Sequence, residues 1–308
     1  MFPFPNKIIG DRESLIESYI AQLDNIKIKN IPKKPGNCFR FCSYNVKIFE
    51  WNNYKATDIK TFINEIDTDA FSLIEYDGSG DKYFINADSS TILFEQLPNY
   101  GIFTKYNGLS SDGLIQPSYI QKENSDKYSP HILKKMRCLS HDRFGKLKEF
   151  RGFTHLVTTK NKVNINILTV HLDVYDESGE IRLLEIKEIY DYIINHKLVN
   201  VFILGDFNEW VCKKGDVTYK SSLIDFRKRT GLDHFSTRVH TFLESKNFTN
   251  VFSLKNKYPK FSCWSGKLVD FCYVFNDTLD ERLEITDIHM PLVPYSDHLP
   301  IIIDLTIN

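Results

Sequence analysis

Six short apolar runs along this chain each carry an Asn, Asp, Glu or His at or beside the point where the strand-like pattern stops, and this recurrence limits the fold more than any other feature. The runs are Phe39-Arg40-Phe41-Cys42-Ser43-Tyr44-Asn45, Ala70 to Glu75, Ile165 to Asp173, Val201 to Asn208, Lys267 to Val274, and Ile301 to Ile303 preceded by Pro294-Tyr295-Ser296-Asp297-His298-Leu299-Pro300. Their length and their content of Val, Ile and Phe suit buried strands. In the fifth run the carboxylate, Asp270, sits inside the strand-like stretch rather than at its end. If these strands share a two-sheet core with their ends gathered at one edge, Asn45, Glu75, His171, Asp206, Asn208, Asp270, Asp297 and His298 converge. Carboxylates, amides and imidazoles in that proportion have the chemistry of a divalent-metal phosphoesterase.

Between the runs the sequence supplies helices and turns. Ile181 to Ile194 places Leu183, Leu184, Ile186, Ile189, Tyr190 and Ile193 on one broad apolar helical face. Arg151 to Leu172 alternates as a hairpin turning near Asn161-Lys162. The sum is α+β: a sandwich of two mixed β-sheets flanked by helices. Asp11 to Leu23 reads as a helix with Leu15, Ile16, Tyr19, Ile20 and Leu23 on one face, and Lys27 to Gly36 as a basic linker interrupted by Pro32 and Pro35. The expected division is a helical arm and linker over 1–36 and a single catalytic domain over 37–308. From Asp77 to about Glu149 the chain is polar and the least legible.

A chain of 308 residues with 42% hydrophobic and 14% aromatic residues can bury one large core. Its formal net charge of -1 argues against indiscriminate binding to nucleic acid, so contact with phosphate falls to local basic clusters such as Lys213-Lys214 and Arg227-Lys228-Arg229; His131 to Arg137 and His141-Asp142-Arg143 are also basic enough to meet phosphate, though a solvated charged face is the commoner explanation of such runs. No segment has the length and apolarity of a membrane span, and the Met1-Phe2-Pro3 start is no signal peptide, so an intracellular place, cytoplasmic or nuclear, is expected. The six cysteines form no Cys-x-x-Cys pair and suit small reduced core residues.

The ordered series of a strand ending in Asn45, a strand ending in Glu75, His171-Leu172, Gly205-Asp206-Phe207-Asn208, Asp270-Phe271 and Ser296-Asp297-His298 resembles the endonuclease/exonuclease/phosphatase superfamily, the fold of DNase I-like nucleases. The resemblance covers roughly Phe39 to Leu305. It implies a four-layer α/β/β/α sandwich and Mg²⁺-dependent hydrolysis of phosphoesters, with Mn²⁺ able to substitute. For the site it implies Glu75, Asn45 and Asp297 toward the metal and Asp206 toward the attacking water. Asn208 would donate to a phosphate oxygen, His298 and His171 would face the phosphate, and Asp270 would hold His298. Trp264, just upstream of the Asp270 strand, is expected to line the substrate pocket by stacking.

The series departs from its relatives in places. Ile74 stands where many have Gln before the Glu, and Tyr44 where Trp is frequent. Phe271 replaces the Arg usual in inositol-polyphosphate 5-phosphatases, which weighs against phosphoinositides. Nucleic acid is therefore the first expected substrate, with an endonuclease, exonuclease or DNA-repair enzyme as the leading reading. A phosphatase or phosphodiesterase of lipid or small-molecule phosphates is the alternative, and a catalytically silent binding module the third.

Overall fold

Successive side chains of a strand point to opposite faces, so a strand covered on both sides must be apolar almost throughout, and most of the runs above are. The protein, seen in a computed structural model, is described over residues 33–46, 56–77, 100–102, 114–115, 118–121, 127–128, 132–136, 151–174, 178–209, 237–259, 261–263 and 267–308. Its first half contains β1 (Cys38–Asn45), α1 (Ala56–Glu65), β2 (Ala70–Ile74), β3 (Tyr76–Asp77), β4 (Tyr100–Ile102), β5 (Leu114–Ile115), β6 (Ser118–Gln121), β7 (Lys127–Tyr128), β8 (Ile132–Met136) and β9 (Arg151–Lys160). The second half contains β10 (Val163–His171), α2 (Glu180–Asn195), β11 (Val201–Asp206), α3 (Arg238–Ser245), β12 (Phe248–Asn250), α4 (Val251–Leu254), β13 (Asp270–Phe275), β14 (Leu283–His289) and β15 (Ile301–Ile307).

One sheet runs β14-β15-β1-β2-β6-β4; the other runs β12-β13-β11-β10-β9-β7, with β8 also on β9. Both are mixed, because β1 is parallel to β2 but antiparallel to β15, and β10 is parallel to β11 but antiparallel to β9. Alternate residues sort onto the two faces. Phe39, Phe41, Ala70, Ile301, Ile303 and Leu305 meet Ile165, Ile167, Phe202, Leu204, Cys272 and Val274 between the sheets. The residues between them in sequence, Leu168, Val170, Val201, Ile203, Phe271 and Tyr273, face outward and pack beneath Ile186, Ile189 and Ile193 of α2 and Val239 and Leu243 of α3. On the other side α1 buries Ile59, Phe62 and Ile63, and the Phe62 ring lies 5.9 Å from that of Tyr44. Helix, sheet, sheet and helix follow one another as the expected four-layer sandwich.

The β9–β10 turn falls at Asn161-Lys162, with φ of 50° and 63°, the left-handed pair that a two-residue hairpin turn needs. Other expectations change. Leu184 is 53% exposed, since it lies two residues before Ile186 and two positions on a helix point to nearly opposite sides. Lys267 to Val269 is not strand, and Asp270 opens β13 instead of lying within it. The polar region after Asp77 contributes β4 and β6 to the first sheet and β7 and β8 to the second, with the basic run at 132–136 paired to β9, while β5 pairs with β3 in a separate two-stranded sheet. Arg40, embedded in an apolar run, is wholly buried and meets Asp304 through two hydrogen bonds of 2.7 Å.

Cys38, Cys42, Cys263 and Cys272 are buried free thiols. No helix among the described residues is long and apolar enough to cross a membrane. The expected helix at 11–23, most of the linker, the basic clusters at 213–214, 227–229 and 141–143, Cys138, Cys212 and Trp264 lie outside the described residues.

The outer helical layer carries a testable acid weakness. His240 on α3 is buried with its Nδ1 2.6 Å from the Tyr273 hydroxyl, and burial, reinforced by Arg182, pulls its pKa down to about 4. The unfolded chain therefore binds a proton that the native state refuses between pH 6.5 and about 4, so this contribution to stability is lost as pH falls through that window. The span limits it to about 3 kcal/mol. Denaturant melts of the protein and of His240→Gln should diverge in slope between those pH values, with the variant shallower; parallel curves would refute a neutral buried His240.

Candidate active site

Strand register alone sets most of the site. Parallel pairing places His171 beside Asp206, and antiparallel pairing places Asp270 on the other side of Asp206, so three adjacent strands of the second sheet present His, Asp and Asp in one row. All three follow the inward parity of Ile167, Leu204 and Cys272, and therefore face the opposite sheet. In that sheet Asn45 pairs with Ile74, leaving Glu75 one residue beyond the strand end. The chain entering β15 crosses back over the same edge, where the Ser296 hydroxyl donates to the Asn45 carbonyl at 2.6 Å.

Asp206 is the hub. Its Oδ2 accepts from the Asn45 amide at 3.2 Å and lies 3.8 Å from both His171 Nε2 and His298 Nε2. Its Oδ1 accepts the Asn208 backbone N–H at 2.9 Å. The Asn45 amide also donates to Glu75 Oε1 at 3.2 Å, and His171 Nε2 lies 3.7 Å from that oxygen. Asn45 thus spends both amide hydrogens separating two carboxylates. His298 Nδ1 is 2.9 Å from Asp270 Oδ2; a carboxylate oxygen accepts, so Nδ1 carries hydrogen and Nε2 points toward Asp206.

Two left-handed residues complete the geometry. Glu75 has a φ of 54°, which breaks strand alternation just after the inward-facing Ile74 and lets its carboxylate reach the Asn45 amide. Asn208 has a φ of 48°, and its side-chain amide donates to the Leu172 carbonyl at 3.0 Å, leaving the second amide hydrogen for another acceptor.

The charges are unevenly shared. Burial pushes the Asp206 carboxyl up to about 7, with Asp270 and Glu75 adding to the rise against the pull of His298 and the Asn208 N–H. Burial disfavours the charged form of His298, but the Asp270 and Asp206 carboxylates outweigh it and raise its pKa well above the usual imidazole range. Glu75, Asp206 and Asp270 set three carboxylates against two imidazoles, a donor set that fits a hard divalent cation. Among the described residues the three whose ligand atoms all lie within 4.8 Å of one another, and which could hold a metal ion, are Asp206, Asp270 and His298. Asp270 and His298 bond each other, and the Asn45 amide brings Glu75 Oε1 and Asp206 Oδ2 together beside that pair. Asp297 stands outside this trio; its Oδ1 lies 3.4 Å from the Ser296 hydroxyl oxygen, whose hydrogen goes to the Asn45 carbonyl.

Some supporting residues carried no sequence signal. Ser262 is fully buried, and its hydroxyl accepts the backbone N–H groups of Val269 and Asp270 at 2.9 and 3.0 Å, while its carbonyl accepts from Leu299 at 2.7 Å. It thereby ties the start of β13 to the Ser-Asp-His segment. Arg182, Glu185 and Glu209 form a buried charged group behind the site.

No family model matches the sequence, and no curated protein does. The fold is shared with solved structures. Zebrafish (D. rerio) TDP2 complexed with single-strand DNA product superposes with a TM-score of 0.57 at 13% identity, over 87% of this chain and 99% of that one. The human Nocturnin catalytic domain with bound sulfate gives 0.54 at 15% identity, over 89% and 96%. An endonuclease/exonuclease/phosphatase from Beutenbergia cavernae gives 0.57 at 13% identity, over 88% and 72%. With the layer order and the row of strand-end residues already in place, these likenesses establish that the chain has the DNase I-like fold of endonuclease/exonuclease/phosphatase proteins.

Proposed function

We propose that this protein is a Mg²⁺-dependent phosphodiesterase, with its catalytic domain over 37–308 and nucleic acid as its first substrate class. The observation that carries the reading is the Asp206 carboxylate, buried and raised to about 7, with Asn45, His171 and His298 all within 3.8 Å of one of its oxygens. A phosphodiester's anionic oxygens repel nucleophiles, so hydrolysis needs positive charge, a deprotonated water and a stabilised leaving oxygen. Asp206 takes the proton of the attacking water, and a carboxylate shifted toward neutrality is a stronger base than an ordinary one. His298, its ring fixed by Asp270, presents Nε2 to the scissile phosphate, and His171 approaches from the other side of Asp206. Asn208 donates its remaining amide hydrogen to a phosphate oxygen. Glu75, oriented by Asn45, would hold the metal, which when bound neutralises charge developing on the phosphate. Trp264 stacks on a base or sugar.

The zebrafish TDP2 structure, of the same fold, holds a single-strand DNA product, and this favours nucleic acid over lipid or nucleotide phosphoesters. The test is cleavage of a labelled duplex oligonucleotide carrying one abasic site, with Mg²⁺ or with EDTA, across a series of ionic strengths. Cuts that require Mg²⁺ and whose binding step weakens steeply with salt support a nuclease. A folded protein that leaves every oligonucleotide intact but hydrolyses small phosphoesters would replace nucleic acid with the lipid or small-molecule reading. Inertness toward all phosphoesters would leave a binding module.

A further inference from the structure

Two backbone segments carry the candidate site out of the second sheet: 171–173 after β10 and 206–209 after β11. They are joined to each other, since the Leu172 N–H donates to the Asp206 carbonyl at 2.9 Å and the Asn208 side chain donates to the Leu172 carbonyl at 3.0 Å. Immediately beyond them lies a group of buried polar side chains that the chemistry above does not use. Asp173, Arg182, Glu185, Glu209 and His240 are each at most 4% exposed.

Several polar contacts in this group end on backbone next to the site. Glu185 Oε2 accepts the Asp173 N–H at 2.8 Å, and Arg182 Nη1 donates to the Asp173 carbonyl at 3.1 Å. Arg182 and Glu185 are three apart on α2, on one face, so a single helical turn grips Asp173 by both its N–H and its C=O. Glu209, directly after Asn208, accepts the N–H groups of Val239 and His240 at 2.7 and 3.2 Å and so caps the first turn of α3. His240 Nε2 lies 3.4 Å from the Glu209 carbonyl, and Arg182 Nε lies 4.0 Å from Glu209 Oε1, which closes the ring between the two segments. These side chains satisfy backbone groups of Asp173, Val239 and His240 that apolar residues would leave unpaired, and so they hold the two segments in one arrangement.

We propose that Arg182 and Glu209 are positioning residues: they clamp the exits of β10 and β11 against α2 and α3, and so fix where His171, Asp206 and Asn208 stand relative to one another. The kinetic consequence rests on the hydrolytic reading above; the clamp itself does not. Its loss loosens the two exits locally while the strands behind them keep their ladders.

Amide hydrogen exchange of the full chain, measured by NMR, reads the clamp without any substrate. In Arg182→Met and in Glu209→Gln, exchange at Leu172 and Phe207 should accelerate about tenfold or more, with Ile167 and Ile203 unchanged. Arg182→Lys should restore most of the protection, and the double variant should be no worse than the poorer single one, as partners in one ring are not additive. In Mg²⁺-dependent cleavage of the same labelled oligonucleotide, kcat should fall about 10–100-fold with KM little changed. Uniform acceleration along β10 and β11, or no change at Leu172 and Phe207, would overturn the clamp; local loosening with unchanged kcat would overturn its positioning role. A wild-type protein that cleaves no phosphoester defeats the hydrolytic reading, and the exchange pattern still decides the clamp.

Discussion

Replacing Asp206 with Asn is expected to lower phosphoester hydrolysis by about 10²–10³-fold while leaving the metal-free fold as stable as before or more so. The loss follows from the hub position: a carboxamide in this place keeps an oxygen for only one of its two N–H donors, that of Asn208 on Oδ1 or that of Asn45 on Oδ2, and cannot accept the proton of a water. The stability expectation comes from the same carboxyl. Its folded pKa of about 7 stands above the unfolded value of 3.8, so the unfolded chain gives up its proton first and the native state loses stability as pH rises between those values. The variant lacks that loss. In EDTA, the melting temperature of Asp206→Asn relative to the wild type should therefore climb from pH 4 to pH 7. His298→Ala gives the contrasting case, because it removes the cation between Asp206 and Asp270. It should match the loss of activity but melt lower. Equal destabilisation in both variants, or an Asp206→Asn protein that still cleaves, would contradict the assignment.

Gly205→Ala should be the most damaging single methyl that can be added near the site, exceeding about 4 kcal/mol and leaving little folded protein. Gly205 has a φ of 132°, where L side chains are strained, and a Cβ there would stand 2.2 Å from the Val170 carbonyl oxygen and 3.0 Å from Ile74 Cδ1. The first contact is backbone of the paired β10 strand, which cannot yield without breaking the ladder that aligns His171 with Asp206. Gly36 supplies the control, since nothing lies within 4 Å of its own would-be Cβ. Gly36→Ala should change stability by less than about 0.5 kcal/mol. Thermal melts of the two variants decide the matter: similar curves would mean that β10 and β11 can separate at this point.

Much of the fold was legible because strand periodicity is local. The apolar runs at Phe39, Ala70, Ile165, Val201 and Ile301 became β1, β2, β10, β11 and β15, and the hairpin turned at Asn161-Lys162, whose Asn readily adopts left-handed backbone. Where local pattern misled, the reason lay in what covers an element. Leu184 reads as part of an apolar face but points away from the sheet, while Arg182 and Glu185 take buried positions because backbone groups of Asp173 meet them there. Arg40 sits in a run that reads as apolar because Asp304, far along the chain, neutralises it.

The sequence by itself determined the strand character of the apolar runs, the helix over Ile181 to Ile194 and the identities of the polar residues at the strand ends, since each depends on side-chain spacing over a few positions; α1, α3, β12 and β14 were not read from it. Only the tertiary structure decided which of those residues meet. The parallel register of β10 and β11 puts His171 against Asp206, and the left-handed turn at Glu75 sends its carboxylate toward Asn45 against the strand's own alternation. The pK shift of Asp206 and the proton on His298 arise from burial and from charges brought in by four separate strands and loops, quantities that no stretch of sequence contains.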